Sequence, residues 1–317
     1  MTSKDKQKSL TIDILNSQPN GPDGSYLFYG VPEGTTLIRG RVRFSTNYEC
    51  KGEGIQYSFI GKATCSFPTD GENAAAGREP LFEQVFNMNI TPMKSKITPG
   101  DYEECFEVSL PSTLPSSSLN EHARISYIVT ARLIRKWSPD VVETKEIWFL
   151  TTVLPQPTPR LQPVPSITFG HWREALPCSI ILPSNVLFLG QAVPVTIRLD
   201  PFLPTSASAG NPMKFVTARL CLKQYLTLAS SNGTHSTFRY KRNILDYDLQ
   251  HWPRHEVLGF QDTVIMRLPM MPELSPTTET NVCSIRHSIN LLVAIAVKGL
   301  AGILKFKVGS HTLSITN

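Results

Sequence analysis

Apolar and polar residues alternate at every second position through most of this 317-residue chain. In residues 34–46, for example, Ile38, Val42 and Phe44 fall on one face and three arginines fall on the other. Similar segments, bounded by Gly, Pro, Asn or Ser, continue to residue 154 and resume after residue 176. A period of two is typical of strands with one buried face, and its repetition favours antiparallel β-sandwiches.

A proline-rich segment divides this strand pattern in two. Residues 155–165, PQPTPRLQPVP, contain five prolines and therefore favour an extended linker. The segment could instead be a ligand for a Src-homology-3 domain, but it lacks a basic residue at the usual spacing, so the linker is the favoured interpretation. We predict an all-β chain of two tandem immunoglobulin-like sandwich domains, at 1–154 and 177–317, joined by a linker at 155–176. No repeat between the two halves is evident at the level of residues.

The net charge of +5 is shared unevenly between the halves. Residues 1–155 hold 16 Lys and Arg against 18 Asp and Glu, a net of −2. Residues 156–317 hold 15 against 8, a net of +7. This excess is modest for a nucleic-acid-binding protein, so no nucleic acid partner is predicted. It suits acidic protein tails, phosphorylated segments or anionic lipid headgroups.

The six cysteines include no C-x-x-C pair, and the first ten residues lack the apolar core of a secretory signal. We therefore expect six reduced, mostly buried thiols in an intracellular protein, with disulfides or a metal site as the minority alternative. The longest apolar run, residues 289–297, is far shorter than the roughly 20 residues that a membrane-spanning helix needs.

Enzyme motifs are absent from the sequence, which contains no G-x-S-x-G, H-E-x-x-H, Walker loop or G-x-G-x-x-G. His251 and His255 are four residues apart, but Pro253 argues against a helix and no third ligand is evident. We therefore expect no enzyme activity, no catalytic residue, no cofactor and no metal.

Two groups of basic residues are candidate binding sites for anions or acidic cargo. Arg39, Arg41 and Arg43 alternate along one strand, so their side chains leave the same face about 6.7 Å apart. Like charges in a row repel one another unless the face is solvated or meets an anion. The arginine row therefore has two interpretations, a solvated outer face or a docking stripe for phosphate or acidic peptide. The second group, in a loop or strand end of the basic half, comprises Arg239, Lys241 and Arg242.

The order and spacing of several small motifs resemble the arrestin-domain-containing family, specifically the α-arrestins or arrestin-related trafficking adaptors of the fungal type. In the first half the matching residues are Gly34, Gly40, Gly61, Pro99, Gly100, Tyr102, Leu114, Pro115, Ser116, Ser117 and Tyr127. In the second half they are Gly190, Pro194, Leu222, Lys223 and Gln224. The resemblance covers roughly residues 9 to 315.

Each of these motifs also has a structural interpretation. Pro111 is expected to end an edge strand, because proline removes a backbone donor. Residues 116–118 are three serines, expected to form a solvated loop at one end of a sandwich. Tyr127 is expected to bury a ring whose hydroxyl reaches the backbone.

The resemblance implies a cytoplasmic adaptor that binds the tails of membrane transporters or receptors and is recruited to the plasma membrane or endosomes. It also implies a link to ubiquitin-dependent endocytosis or sorting. Family members commonly recruit Nedd4-class ubiquitin ligases through P-P-x-Y or L-P-x-Y motifs, and neither motif occurs in this sequence. We therefore expect a ligase to be reached only through another adaptor, and cargo contact to depend on Arg39, Arg41 and Arg43. The alternative is a structural arrestin-fold subunit of a retromer-like sorting coat.

Overall fold

The structure is a computed structural model, and the all-β class predicted from the sequence is confirmed. It describes residues 7–31, 34–66, 76–88, 96–135, 139–151, 165–172, 176–200, 213–229, 237–249, 260–271, 273–297 and 303–316. These residues form β-strands and one short 3-10 turn, with no α-helix among them. The chain divides into two compact units. The first comprises residues 1–153 with 229–236 and 280–283, and the second comprises the rest.

The first unit is a sandwich of a three-stranded and a six-stranded sheet. Its strands are β1 (Lys8–Ile14), β2 (Tyr26–Gly30), β3 (Thr35–Thr46), β4 (Cys50–Lys51), β5 (Gly54–Ser66), β6 (Ala76–Asn87), β7 (Lys96–Ile97), β8 (Gly100–Pro111), β9 (Ser118–Leu119), β10 (Ala123–Ile134) and β11 (Val141–Thr151). The smaller sheet has the order β1-β3-β8, and the larger has the order β2-β11-β10-β5-β6, with β9 joined to β10. Strand β2 runs parallel to β11, whereas the other described pairs of this unit are antiparallel.

The core of the first unit lies between these two sheets and follows the alternation in the sequence. Every second residue of β3, from Thr36 to Thr46, is buried, and the residues between them are not. Alternate residues of β1, namely Leu10, Ile12 and Ile14, are buried in the same way. The rings of Tyr57 and Phe106, one from each sheet, have centroids 5.6 Å apart. Period-two patterning therefore places the apolar residues of both sheets in one core.

The second unit is also a sandwich of two sheets. Its strands are β12 (Ser166–Trp172), β13 (Leu176–Leu182), β14 (Val186–Phe188), β15 (Ala192–Leu199), β16 (Met213–Ala229), β17 (Thr237–Asp248), β18 (Phe260–Arg267), β19 (Thr278–Glu279), β20 (Cys283–Val297) and β21 (Ile303–Thr316). The sheet orders are β12-β13-β15-β18 and β14-β21-β20-β16-β17, with β19 joined to β20. Strand β14 runs parallel to β21.

The predicted linker at 155–176 contains a strand. Residues 166–172 form β12, which pairs antiparallel with β13 from Ser166 opposite Leu182 to Trp172 opposite Leu176. The segment can pair in this way because it contains no proline, unlike the residues before it. Residues 152–164, which hold most of the proline run, lie outside the described residues, and a linker there stays a prediction.

The two units repeat one strand plan, although no repeat is evident between the residues of the two halves. The order β1-β3-β8 corresponds to β13-β15-β18, and β2-β11-β10-β5-β6 corresponds to β14-β21-β20-β16-β17. Each larger sheet has one parallel pair, β2 with β11 and β14 with β21. Each also has a two-residue strand, β9 or β19, before its central strand. The halves therefore share topology and pairing while differing in side chains.

The repeat is closest at two segments that we call the first corner segment (residues 114–127) and the second corner segment (residues 274–287). In the first, the Ser117 N–H donates to the Phe149 carbonyl at 2.6 Å, and the Phe149 N–H donates to Ser117 Oγ at 2.9 Å. In the second, Thr277 and Ile315 exchange the same two hydrogen bonds at 2.7 and 2.8 Å. Each corner segment is therefore hydrogen-bonded to the last strand of its own unit.

These bonds overturn the solvated loop expected at residues 116–118, because all three serines are buried. Ser116 Oγ accepts from the Thr151 N–H at 2.8 Å, and Ser117 is bonded to β11 as described above. Serine hydroxyls can be buried when they satisfy backbone groups in this way. The expectation for Tyr127 is confirmed, since its ring is fully buried and its hydroxyl donates to the Pro115 carbonyl at 2.6 Å.

Candidate functional site

The first candidate surface is the arginine ladder, which consists of Arg39, Arg41 and Arg43. The three side chains project from the outer face of β3, as their alternation in the sequence indicates. The neighbouring strands supply carboxylates on the same face, since Asp13 of β1 is opposite Arg41 and Glu107 of β8 is opposite Arg39. The ladder therefore lies between two strands that carry acidic residues.

Each arginine of the ladder forms an ion pair with one of these carboxylates. Arg39 Nε lies 2.7 Å from Glu107, and Arg41 reaches Asp13 at 3.2 Å and Glu103 at 3.3 Å. The guanidinium of Arg43 also contacts Asp13. Partial desolvation of Arg41 opposes these contacts, but Glu103 and Asp13 raise the pKa of Arg41 above its ordinary value.

The outer face around the ladder carries no excess of positive charge. Its described charged residues are three arginines and four acids, a net of −1, and the acids are Asp13, Asp101, Glu103 and Glu107. Ion pairs at an exposed surface contribute little to stability, typically about 0–1 kcal/mol each. Their effect here is on recognition, because an incoming anion must compete with carboxylates already in place.

The second candidate surface is the basic cluster, which lies on neighbouring strands β16 and β17 and comprises Lys223, Arg239, Lys241 and Arg242. The sequence places three of these residues in a loop or strand end, but the structure places them within β17. All three are exposed, and the Arg242 guanidinium donates to the Glu273 carbonyl at 2.5 Å. A strand fixes their spacing, which a loop would not do.

Lys223 is the member that sequence reasoning missed as a site residue. Its side chain is on the outer face of β16, between Cys221 and Tyr225, and it is only 8% exposed. Burial lowers the pKa of Lys223, and the neighbouring Lys241 ammonium lowers it further. The signal in the sequence was its position in L-K-Q, which alternation puts on the outward face of an otherwise apolar strand.

The two surfaces differ in whether their charge is neutralised. Among the described residues, no carboxylate lies within ion-pair distance of any member of the basic cluster, whereas all three ladder arginines have such partners. Two lysine ammonium groups held next to each other repel, and a bound anion would relieve that repulsion. The basic cluster is therefore the stronger candidate for an anion-binding site.

Cysteine and histidine side chains form no further candidate site within the described part of the chain. Five cysteines are buried and Cys105 is exposed, and burial raises the thiol pKa of Cys65 and Cys283 and that of Cys221 to about 12. Buried thiols with a raised pKa are poor nucleophiles. No three His, Cys, Asp or Glu side chains of these residues come together in a group that could hold a metal ion. The His251–His255 pair lies outside the described residues.

No described residue belongs to a helix of the length and apolarity that crossing a membrane requires. Residues 31–154 match the family described as Arrestin (or S-antigen), N-terminal domain. This stretch begins just before β3 and ends after β11, so it covers most strands of the first sandwich. No curated protein matches the chain at a significant level. The matched stretch and the strands that it covers support an arrestin N-terminal domain at residues 31–154.

Proposed function

We propose that this chain is a cytoplasmic arrestin-like adaptor that binds acidic or phosphorylated tails of membrane transporters or receptors. The observation that carries the proposal is the un-neutralised basic cluster of Lys223, Arg239, Lys241 and Arg242 on the second sandwich. The first sandwich of the same chain matches the arrestin N-terminal domain. Arrestin domains form a scaffold for binding rather than a catalytic fold, and we propose no enzyme activity. Binding of cargo, or of anionic lipid headgroups, at the same cluster would recruit the protein to the plasma membrane or endosomes.

Carboxylates already neutralise the arginines of the ladder, whereas the basic cluster has no such partners among the described residues. We therefore propose the basic cluster as the main contact with cargo. The ladder remains a secondary contact, because phosphate groups are stronger acceptors than carboxylates and could displace Asp13 or Glu107. A link to ubiquitin-dependent endocytosis would need a second adaptor. Residues 99–102, P-G-D-Y, are the closest string to a ligase motif and lack its proline pair. Tyr102 of this string is half-buried, with its ring 6.2 Å from that of Phe44 and its hydroxyl donating to the Thr98 carbonyl.

Two triple variants that remove equal charge test this assignment. R239S/K241S/R242S is expected to weaken binding of a phosphorylated acidic peptide by about tenfold or more, and to flatten the salt dependence of binding. R39S/R41S/R43S removes the same three charges, but it is expected to weaken binding by less than about threefold, because carboxylates already neutralise those arginines. Fluorescence anisotropy at low and high salt measures both effects. The reverse ranking, or binding that neither salt nor variant changes, would contradict the assignment.

The alternative function is a structural subunit of a retromer-like sorting coat. Proximity labelling in cells separates the two proposals. An adaptor is expected to label transporters, receptors and ubiquitin ligases, and these hits should decline in R239S/K241S/R242S. Labelling of coat subunits alone, unchanged in the variant, would favour the structural role.

A further inference from the structure

The basic cluster lies at an open edge of a sheet. Strand β17, which carries three of its four members, is the last strand in the order β14-β21-β20-β16-β17, and no described strand pairs with its other side. An edge strand presents a row of backbone N–H and C=O groups with which another extended chain can pair. The orientation of β17 therefore decides which side chains would meet such a chain.

At the end of β17 that is distant from the cluster, the even-numbered residues lie on the outer face of the sheet. Asp248 forms an ion pair at 2.8 Å with Arg219 of β16, and Asp246 is hydrogen-bonded to the Cys221 thiol. The odd-numbered Tyr247 between the two acids packs against the core of the second unit.

The alternation is reversed at the basic end of the strand. The odd-numbered Lys241 lies beside Lys223 on the outer face, and Arg239 is exposed two residues earlier. Ile244 and Leu245 are consecutive residues that both pack against the core, which places a β-bulge at this point of the strand. Arg239 and Lys241 therefore project from the outer face about 6.7 Å apart, twice the rise per residue of a strand.

The backbone groups of Arg239 and Lys241 point to the open edge. Leu249 N–H donates to the Ala218 carbonyl at 3.0 Å, and both residues face the core, so the core-facing residues of β16 are those that bond to β17. Paired residues have their side chains on the same face of a sheet, so the core-facing residues of β17 bond to β16 in turn. The outward-facing Arg239 and Lys241 consequently direct their N–H and C=O groups away from β16.

The corresponding edge of the first unit is different. Strand β6 has the position there that β17 has in the second unit, and Met88 N–H donates to the carbonyl of the core-facing Ile55 at 2.8 Å, so the same rule applies. Pro80 and Glu83 lie opposite outward-facing residues of β5 and are therefore directed to the open edge. Proline offers no N–H, and glutamate repels an acidic ligand. Only β17 of these two equivalent edges combines free backbone donors with positive charge.

Building on the anion-binding function proposed above, we propose that the open edge of β17 accepts an extended acidic segment of a cargo tail as an additional antiparallel strand. Acidic or phosphorylated side chains two residues apart lie opposite Arg239 and Lys241, next to Lys223, and the backbone of the same residues bonds to that of Arg239 and Lys241. The residue between them faces the side of the half-buried Tyr240. Positive charge on an edge strand opposes pairing with other chains in general, so it restricts this edge to acidic segments.

Two peptides of equal composition test this proposal on the full-length protein. The probe is fluorescein-labelled GSEVEVEVSG, and the comparison peptide is GSEEEVVVSG. The alternating peptide is expected to bind at least about fivefold more tightly, because only its glutamates all reach one face of an added strand. Equal affinity would overturn strand addition but leave the anion-binding function of the cluster intact. Binding of neither peptide would overturn both.

Methylation of single peptide nitrogens separates strand addition from attraction between charges. In the alternating peptide the glutamate amides face β17, whereas the valine amides face away from it. N-methylation of the central glutamate is expected to weaken binding by about tenfold or more, because it removes a backbone donor at the edge. N-methylation of a neighbouring valine is expected to weaken binding by less than about threefold. Equal effects of the two methyl groups would refute the pairing.

Two protein variants make the same comparison from the side of β17. K241P and K241S remove the same charge, but K241P also removes the N–H at the open edge, where proline is tolerated, as at Pro80 of β6. K241P is expected to bind the alternating peptide about fivefold more weakly than K241S does. Equal affinities would contradict the proposal, and if K241P does not fold, the N-methylated peptides decide the question.

Discussion

Replacing Gly40 with valine is expected to lower the free energy of unfolding of the first sandwich by about 3 kcal/mol, at the upper end of overpacking effects. Gly40 occupies an inward position of β3, opposite Ile14 of β1 and Phe106 of β8. A Cβ at this position would overlap the Phe106 ring and lie 2.9 Å from the backbone oxygen of Asp13. The ring has little room to move, because it already packs against Tyr57.

Gly34, just before β3, provides the matched control for this prediction. The nearest atom to a Cβ at Gly34 is Val31 Cγ1 at 3.7 Å, an ordinary van der Waals contact. G34V is therefore expected to change the free energy of unfolding by less than about 1 kcal/mol. Urea unfolding followed by tryptophan fluorescence measures both variants. Equal stability of G40V and G34V would show that β3 does not approach Phe106 as closely as described.

Substitutions of Tyr127 are expected to separate the contributions of its ring and its hydroxyl. Y127A should destabilise the protein by about 4 kcal/mol, because it leaves a cavity between Phe59 and Phe149 in the core. Y127F keeps the ring and should cost about 1–2 kcal/mol, because the carbonyl of the half-buried Pro115 loses its donor. Burial raises the pKa of the Tyr127 phenol well above its ordinary value, so the hydroxyl stays a donor at neutral pH.

Thermal and urea unfolding of Y127F and Y127A measure these two contributions. S126A, which removes the hydroxyl of a buried residue on the opposite face of β10, serves as the control and should have a small effect. A loss in Y127F equal to that in Y127A would mean that the hydrogen bond, and not the ring, dominates. No loss in Y127F would mean that water satisfies the Pro115 carbonyl.

Period-two patterning was sufficient to predict which faces of β1 and β3 are buried. The burial of alternate residues in β1 and β3 and the outward projection of Arg39, Arg41 and Arg43 follow from it directly. The same reasoning could not predict the partners of those arginines. Which carboxylate lies opposite which arginine depends on strand order and register, and residues of β1 and β8 far away in the sequence determine both.

The residues that sequence reasoning misjudged are polar residues whose partners are distant in sequence. Residues 116–118 look like a solvated turn, but backbone groups of β11 satisfy two of their hydroxyls. Lys223 looks like part of a strand motif, and its proximity to Lys241 depends on the pairing of β16 with β17. The repeat could not be seen in the sequence for the same reason. Ser117 and Thr277 form equivalent hydrogen bonds in their own units although they are different residues.

The parallel pairs of the larger sheets have a consequence for the order in which the chain can fold during synthesis. Tyr26 of β2 pairs with Ile147 of β11, and Val186 of β14 pairs with Ser314 of β21. In each unit, therefore, the early strand cannot form its parallel pair until the last strand has left the ribosome. Until then β10 and β20 lack one neighbour and expose backbone groups that other nascent chains can pair with. Such distant pairings also make folding slow, so translation and chaperone binding, rather than local strand propensity, would set the yield of folded protein.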